Sequence, residues 1–208
     1  MPVQEVFLVR HGETEWSLSG RHTGSSDIPL TENGRQVARR WRPFAATRTF
    51  DLVLTSPLQR ARETCELVGL GERAEADPDL TEWNYGAYEG LTPKEIRARK
   101  AEWMVFRDGC PGGESPEQIG ARVDRVIAKV RARAGDVALF AHGHVLRVLG
   151  ARWLGLPPSA GSHFLLDTAT VCVLSSYHGV PAVKRWNAPL LIDASVPRGP
   201  VEATPLLR

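Results

Sequence analysis

Four short stretches hold residues whose types and spacing could do chemistry together. They are Arg10-His11-Gly12, Arg60 after Ser56-Pro57-Leu58-Gln59, His142-Gly143-His144, and Glu82 in Leu80-Thr81-Glu82-Trp83-Asn84-Tyr85-Gly86. Phosphoryl transfer needs donors around three equatorial oxygens, a nucleophile in line and a proton for the leaving oxygen. Arg10 and Arg60 can each offer two parallel N–H bonds to a phosphate. His11 can attack phosphorus from one ring nitrogen if a hydrogen bond at the other sets its tautomer. His142 would stabilise the transferring charge, most effectively when protonated. Glu82, set among aromatic residues, is the general-acid candidate, with Glu89 and Glu114 as rivals. Arg62 competes with Arg60 for the second arginine position.

These residues need elements to bring them together. Val6 to Val9 is a continuous apolar run that reads as a central strand covered on both faces, ending at Arg10. Asp51 to Thr55 and Asp136 to Ala141 read the same way. A loop is expected from Trp16 to Pro29, and a helix from Thr31 to about Ala46. Ser56 is the expected N-cap, with Pro57 at the first position, of a helix running to about Val68. Arg73 to Asp77 is a short-strand candidate, 79–90 an irregular loop, and Thr92 to Phe106 a helix. After the break at Pro111-Gly112-Gly113, Ser115 caps a long helix to about Ala134 with Ile119, Val123, Val126, Ile127 and Val130 on one face. Val145 to Leu154 is the next helix, and Ser162 to Asp167, Thr170 to Ser176 and Ala182 to Trp186 are expected edge strands. The alternation implies an α/β fold: one three-layer domain with a mainly parallel sheet and helices on both faces. If the strands before His11 and His142 are parallel neighbours, both histidines emerge at one sheet edge, where open α/β sheets bind ligands.

Leu8-Val9-Arg10-His11-Gly12-Glu13-Thr14 resembles the signature of the histidine phosphatase superfamily, its phosphoglycerate-mutase-like branch. The blocks around Arg60, Glu82 and His142 match as well, so the resemblance runs from about Val3 to Pro189. It implies Arg10 and Arg60 as phosphate ligands, His11 as nucleophile, Glu82 as proton donor and His142 as second histidine. It also implies substrate contacts: Ser17 stands where the family commonly has Asn, Thr23 and Gly24 match a substrate-facing turn, Gly143 belongs to the second-histidine block, and His144 falls where members vary. The expected domain is 1–190, with 191–208 as a C-terminal tail.

A net charge of +2 with both signs mixed argues against nucleic acid or a membrane surface as partner. Three widely spaced cysteines, Cys65, Cys110 and Cys172, form neither a metal pattern nor a disulfide framework and suit a reducing, cytoplasmic setting. His142-x-His144 lacks a third zinc ligand at a characteristic spacing, so no metal or other cofactor is expected. His22, His163 and His178 read as surface or satisfied histidines, and Trp16, Trp83, Tyr85 and Trp103 as pocket walls. The partner is then a small phosphorylated substrate; a homodimer is left open. The expected activity is a metal-independent phosphomonoesterase for small organic or sugar phosphates. The alternative is a cofactor-dependent phosphoglycerate mutase, which resembles its relatives in a longer basic insertion after the acid; this chain has the shorter segment. Since His142 and Glu82 would both need protons, an acidic optimum is expected.

Overall fold

The computed structural model describes residues 4–189; the tail at 191–208 lies outside them. Each apolar strand buries alternate side chains on opposite faces, so the sheet needs two covering layers. Strand β1 (Val6–Arg10) sends Val6 and Leu8 into one core and Phe7 and Val9 into the other. Beyond it come α1 (Glu15–Leu18), α2 (Glu32–Arg39), α3 (Arg42–Ala46), β2 (Leu52–Thr55), α4 (Gln59–Val68) and β3 (Glu75–Ala76). Then follow α5 (Pro93–Arg97), α6 (Val105–Asp108), α7 (Pro116–Arg131), β4 (Val137–Ala141), α8 (Gly143–Trp153), β5 (Thr170–Tyr177) and β6 (Val180–Pro189).

The sheet order is β3-β2-β4-β1-β5-β6. β1, β2, β3 and β4 are parallel, while β5 and β6 run antiparallel at one edge. The core under α7 and α8 holds Ile119, Val123, Val126, Leu146 and Leu149; the opposite core holds Trp41, Phe50, Cys65 and Val68. The parallel pairing of β1 with β4 sets Arg10 opposite Ala141. His11 and His142 therefore leave the sheet side by side. Among the described residues, no helix is long and apolar enough to cross a membrane.

Several elements differ from expectation for local reasons. The helix expected over 31–46 is two helices, because Pro43 cannot donate to the residue 39 carbonyl and the buried Trp41 turns the chain. The helix expected over 92–106 likewise splits: Thr92 caps α5 in a capping box, then the chain unwinds so that Trp103 is buried and donates to the Gly109 carbonyl at 2.8 Å. Ser162 to Asp167 is not a strand; 158–163 form a 3-10 turn. The last strand extends through Asn187 to Pro189.

Candidate active site

The turn after β1 fixes the chemistry of His11. Its backbone N–H continues the ladder to the Ala141 carbonyl (3.0 Å), and its ring Nδ1 lies 2.7 Å from the Gly12 carbonyl. A carbonyl only accepts, so the hydrogen bond assigns the proton to Nδ1 and leaves Nε2 with its lone pair. Burial first, and then the charges of Arg60 and Arg10, push the His11 pKa well below its usual 6.5. The ring is thus neutral and nucleophilic at neutral pH. Gly12 is required here because a Cβ would stand 2.8 Å from the Gly34 carbonyl oxygen on α2.

Arg10, half-buried, donates from Nη1 to the Leu166 carbonyl, and its buried Nε has no partner among the described residues. An unsatisfied buried donor is costly, and an incoming oxyanion beside it would satisfy it.

Arg60 and His142 are placed together but not as expected. Arg60 is fully buried and donates from Nε to His142 Nδ1 (3.0 Å), from Nη1 to the Ser26 carbonyl (2.8 Å), and from Nη2 to the Thr23 and Gly24 carbonyls (both 3.0 Å). Four of its five N–H groups are thus spent on protein, and it does not line the cavity. It acts on His11 as a nearby charge rather than as a bidentate phosphate fork in this state. A guanidinium cannot accept, so His142 takes the Arg60 hydrogen bond at an unprotonated Nδ1 and donates from Nε2 to Ser56 Oγ at 2.8 Å. Burial and the neighbouring cations hold its pKa well below 6.5. His142 is therefore neutral, which corrects the expectation of an imidazolium and removes half of the argument for an acidic optimum. Ser56 is not the cap of α4 either; Leu58 holds that position, and Asp27 from the preceding loop accepts the Gln59 N–H at 2.8 Å.

Glu82 lies at the N-terminus of α8, where the first N–H groups have no partner within the helix. Its Oε1 accepts from Trp83 N and Val145 N (both 2.9 Å), and its Oε2 from His144 N (3.0 Å). Its two rivals have other duties: Glu89 accepts from Gly24 N and Ser26 N, and Glu114 pairs with Arg122. Arg122 is a bracing residue behind the site that the sequence reading did not single out. It is buried and donates to the carbonyls of Asp79, Thr81 and Glu82 as well as to both oxygens of Glu114, so it shapes the loop carrying Glu82. The signal was present: position 122 falls on the apolar face of α7 between Ile119 and Val123.

A cavity of about 230 Å³ opens above these groups, lined by Arg10, His11, Glu82 and Gly143 on the sheet side. Gly143 admits Arg10, whose Cζ would be 3.2 Å from a Cβ there. His22 is the satisfied rather than the surface histidine of the two expected readings, and it also lines the cavity. It is buried, its Nδ1 lies 2.9 Å from the Leu91 carbonyl, and its ring stacks on that of His144 at 6.0 Å and 11°. His144 lines the wall as expected, its Nδ1 paired with the Tyr85 hydroxyl. His163 and His178 are exposed, as expected.

Ser17 and Thr23 line the cavity, but both hydroxyls donate within their own loops, Ser17 to the Thr14 carbonyl (2.8 Å) and Thr23 to that of Arg21 (3.1 Å). Gly24 does not line it. It is packed behind, clasping Arg60, and a Cβ there would fall 2.6 Å from the Trp83 carbonyl oxygen. Trp16, Trp83 and Trp103 are not cavity walls; the last two are core residues whose indole N–H groups bond the Glu114 and Gly109 carbonyls. We expect Gly24→Ala to cost about 1–3 kcal/mol by overpacking and to lower kcat through Arg60. Urea unfolding and a phosphatase assay check this, and an unchanged midpoint would contradict a rigid clasp.

Among the described residues, no group of three His, Cys, Asp or Glu side chains is placed to hold a metal. The family model of the histidine phosphatase superfamily (branch 1) matches residues 6–189. An acid phosphatase of Mycobacterium tuberculosis is 39 % identical over 179 residues, 84 % of this chain and 88 % of that one. A sedoheptulose 1,7-bisphosphatase of Saccharomyces cerevisiae is 41 % identical over 182 residues, 72 % of this chain and 67 % of that one. Chains named as phosphoglycerate mutases match at 29 to 36 % identity. The solved structure of an open reading frame product of Mycobacterium tuberculosis superposes with a TM-score of 0.86 at 36 % identity, over 90 % of this chain and 98 % of that one.

Proposed function

Because the chain belongs to branch 1 of the histidine phosphatase superfamily and is a phosphoric monoester hydrolase, we propose that it hydrolyses small sugar phosphates through a phosphohistidine on His11, without a metal. The observation that carries this reading is the tautomer of His11: a ring lining the cavity beside Arg10, with Nδ1 tied to Gly12 and Nε2 unprotonated.

In the first half-reaction Nε2 bonds to phosphorus as the ester P–O bond breaks, and the leaving oxygen takes a proton from Glu82. In the second, water attacks the phosphohistidine, its proton passes to Glu82, and phosphate leaves His11 free again. Arg10 holds the equatorial oxygens, while Arg60, anchored by His142, adds positive charge behind the nucleophile. The cavity is smaller than the ~300–1000 Å³ of drug-sized sites, which favours a small metabolite over a phosphorylated polypeptide. The relative named as a sedoheptulose bisphosphatase supports a sugar ester. Buried, free cysteines are compatible with a cytoplasmic setting.

The test is turnover of p-nitrophenyl phosphate and of sugar phosphates in excess EDTA across pH 4.5–8. His11 has a lowered pKa, so it stays nucleophilic as pH falls through 6.5, and kcat/KM should keep its value well below that pH. Dependence on added metal, or an acid limb centred at or above pH 6.5, would refute the mechanism. Rapid turnover of 3-phosphoglycerate only with a bisphosphate activator would favour the mutase.

A further inference from the structure

We infer that Thr64, which does not line the cavity, is a positioning residue for His11: its hydroxyl holds the turn whose carbonyl fixes which ring nitrogen carries the proton. The role rests on the reading of His11 as nucleophile. Thr64 sits on α4, one turn after Arg60, and is fully buried. Its hydroxyl donates its one proton to the Arg60 carbonyl at 2.7 Å, the back-bond open to a helical threonine. Only its lone pairs are then left to face the turn after β1, and the buried Gly12 N–H donates to them at 3.1 Å. One oxygen thus joins the backbone at Arg60 to the backbone beside His11.

The effect passes through two peptide groups. The peptide joining His11 to Gly12 is held at both ends: its carbonyl accepts from the Ala169 N–H at 3.0 Å, and its N–H donates to Thr64. The next peptide begins with the Gly12 carbonyl, which takes the His11 Nδ1 proton at 2.7 Å. Glycine has no Cβ to restrict φ and ψ, so hydrogen bonds on either side of Gly12 must aim that carbonyl. The Gly34 carbonyl oxygen, 2.8 Å from where a Cβ would stand, bars any side chain from doing so instead. Without the Thr64 oxygen, the Gly12 N–H is left buried and unpaired, a costly state that the turn relieves by rotating. Rotation takes the Gly12 carbonyl away from Nδ1. The ring then carries its proton on either nitrogen, and only the form unprotonated at Nε2 can attack phosphorus.

The test compares wild type with Thr64→Val, which keeps the shape and loses the hydroxyl, and with Thr64→Ser, which keeps the hydroxyl. Ring-nitrogen NMR, with His11 assigned by its absence from His11→Ala, reads the tautomer directly. Wild type and Thr64→Ser should carry the proton on Nδ1, and Thr64→Val should show both tautomers. Transfer of label from a radiolabelled ester to the protein should slow about 10- to 100-fold in Thr64→Val, the usual result of a slightly misplaced reacting group. Thr64→Ser should recover most of that rate. Competitive inhibition by inorganic phosphate should keep its strength in both variants, because Arg10 and the cavity lining are untouched. A Thr64 that only welds α4 to β1 would lower the urea midpoint in Thr64→Val and leave tautomer and rate unmoved. That result overturns the proposal, and so does a wild-type His11 protonated at Nε2. If Thr64→Val does not fold, Thr64→Ala removes the same oxygen and is read the same way. Failure of the phosphohistidine reading looks different: wild type would carry no label and turnover would survive His11→Ala, whatever the tautomer.

Discussion

His11→Ala is expected to lower kcat by about 10⁴-fold or more, because it removes the atom on which the phosphoryl group rests. The loss should appear without loss of fold. The His11 ring spends one hydrogen bond on its neighbour Gly12, while its backbone N–H keeps the bond to Ala141 that closes the sheet edge. Removing the ring also relieves the cost of burying it between two cations. Circular dichroism and urea unfolding should therefore give a variant about as stable as wild type. With a radiolabelled ester and an alkaline quench, wild type should carry label on protein, and the variant none. A variant that keeps more than a few per cent of kcat, or that still becomes labelled, would remove His11 from the mechanism. Glu82→Gln acts on both halves of the cycle, since the amide cannot give a proton to the leaving oxygen. It should also slow release of phosphate from the labelled enzyme, because the amide cannot take the proton from water.

Stability should fall steeply as the pH drops below 6.5. His11, His22, His142 and His144 all have pKa values pushed below the usual 6.5, chiefly by burial. Below pH 6.5 the unfolded chain therefore binds protons that the folded chain refuses, and the sign of the linkage makes stability rise with pH and level off above 6.5. Each such histidine contributes up to about 1.4 kcal/mol per pH unit. Even two of the four would remove up to roughly 2 kcal/mol between pH 6.5 and 5.5, a sizeable share of an ordinary domain's stability of about 5–15 kcal/mol. The depressed carboxylates, such as Asp79 and Asp108, which is lowered to about 2, act in a more acidic window. The interval from pH 6.5 to 5 thus isolates the histidines. Urea unfolding at pH 7.5, 6.5, 5.5 and 5.0 measures the slope, and a flat profile would mean that these rings are not held neutral. Saturating phosphate should restore part of the loss by binding only the folded state.

Much of this protein is legible from one dimension. The apolar runs ending at Arg10, Thr55 and Ala141 determine buried parallel strands, because a strand covered on both faces must be apolar at successive positions. Arg-His-Gly and His-Gly-His, at the ends of two such runs, determine where the site forms. Caps such as Thr31, Thr92 and Ser115 are set by residues three positions apart, within reach of local reading. Tertiary structure alone decided how the polar groups share their hydrogen bonds. Ser56 looks like a helix cap in sequence, yet it lies 86 residues from the His142 ring that it pairs with. Arg60 reads as a phosphate fork, but its donors reach carbonyls on the 23–26 loop and a histidine after β4, which no spacing encodes. His22 became a cavity residue because its loop pairs with 90–91, and Arg122 became a loop anchor because α7 packs beneath Glu82. Periodicity reports which face of an element is buried. The partner that meets each buried polar atom is set by long-range packing, and with it the protonation state of each histidine.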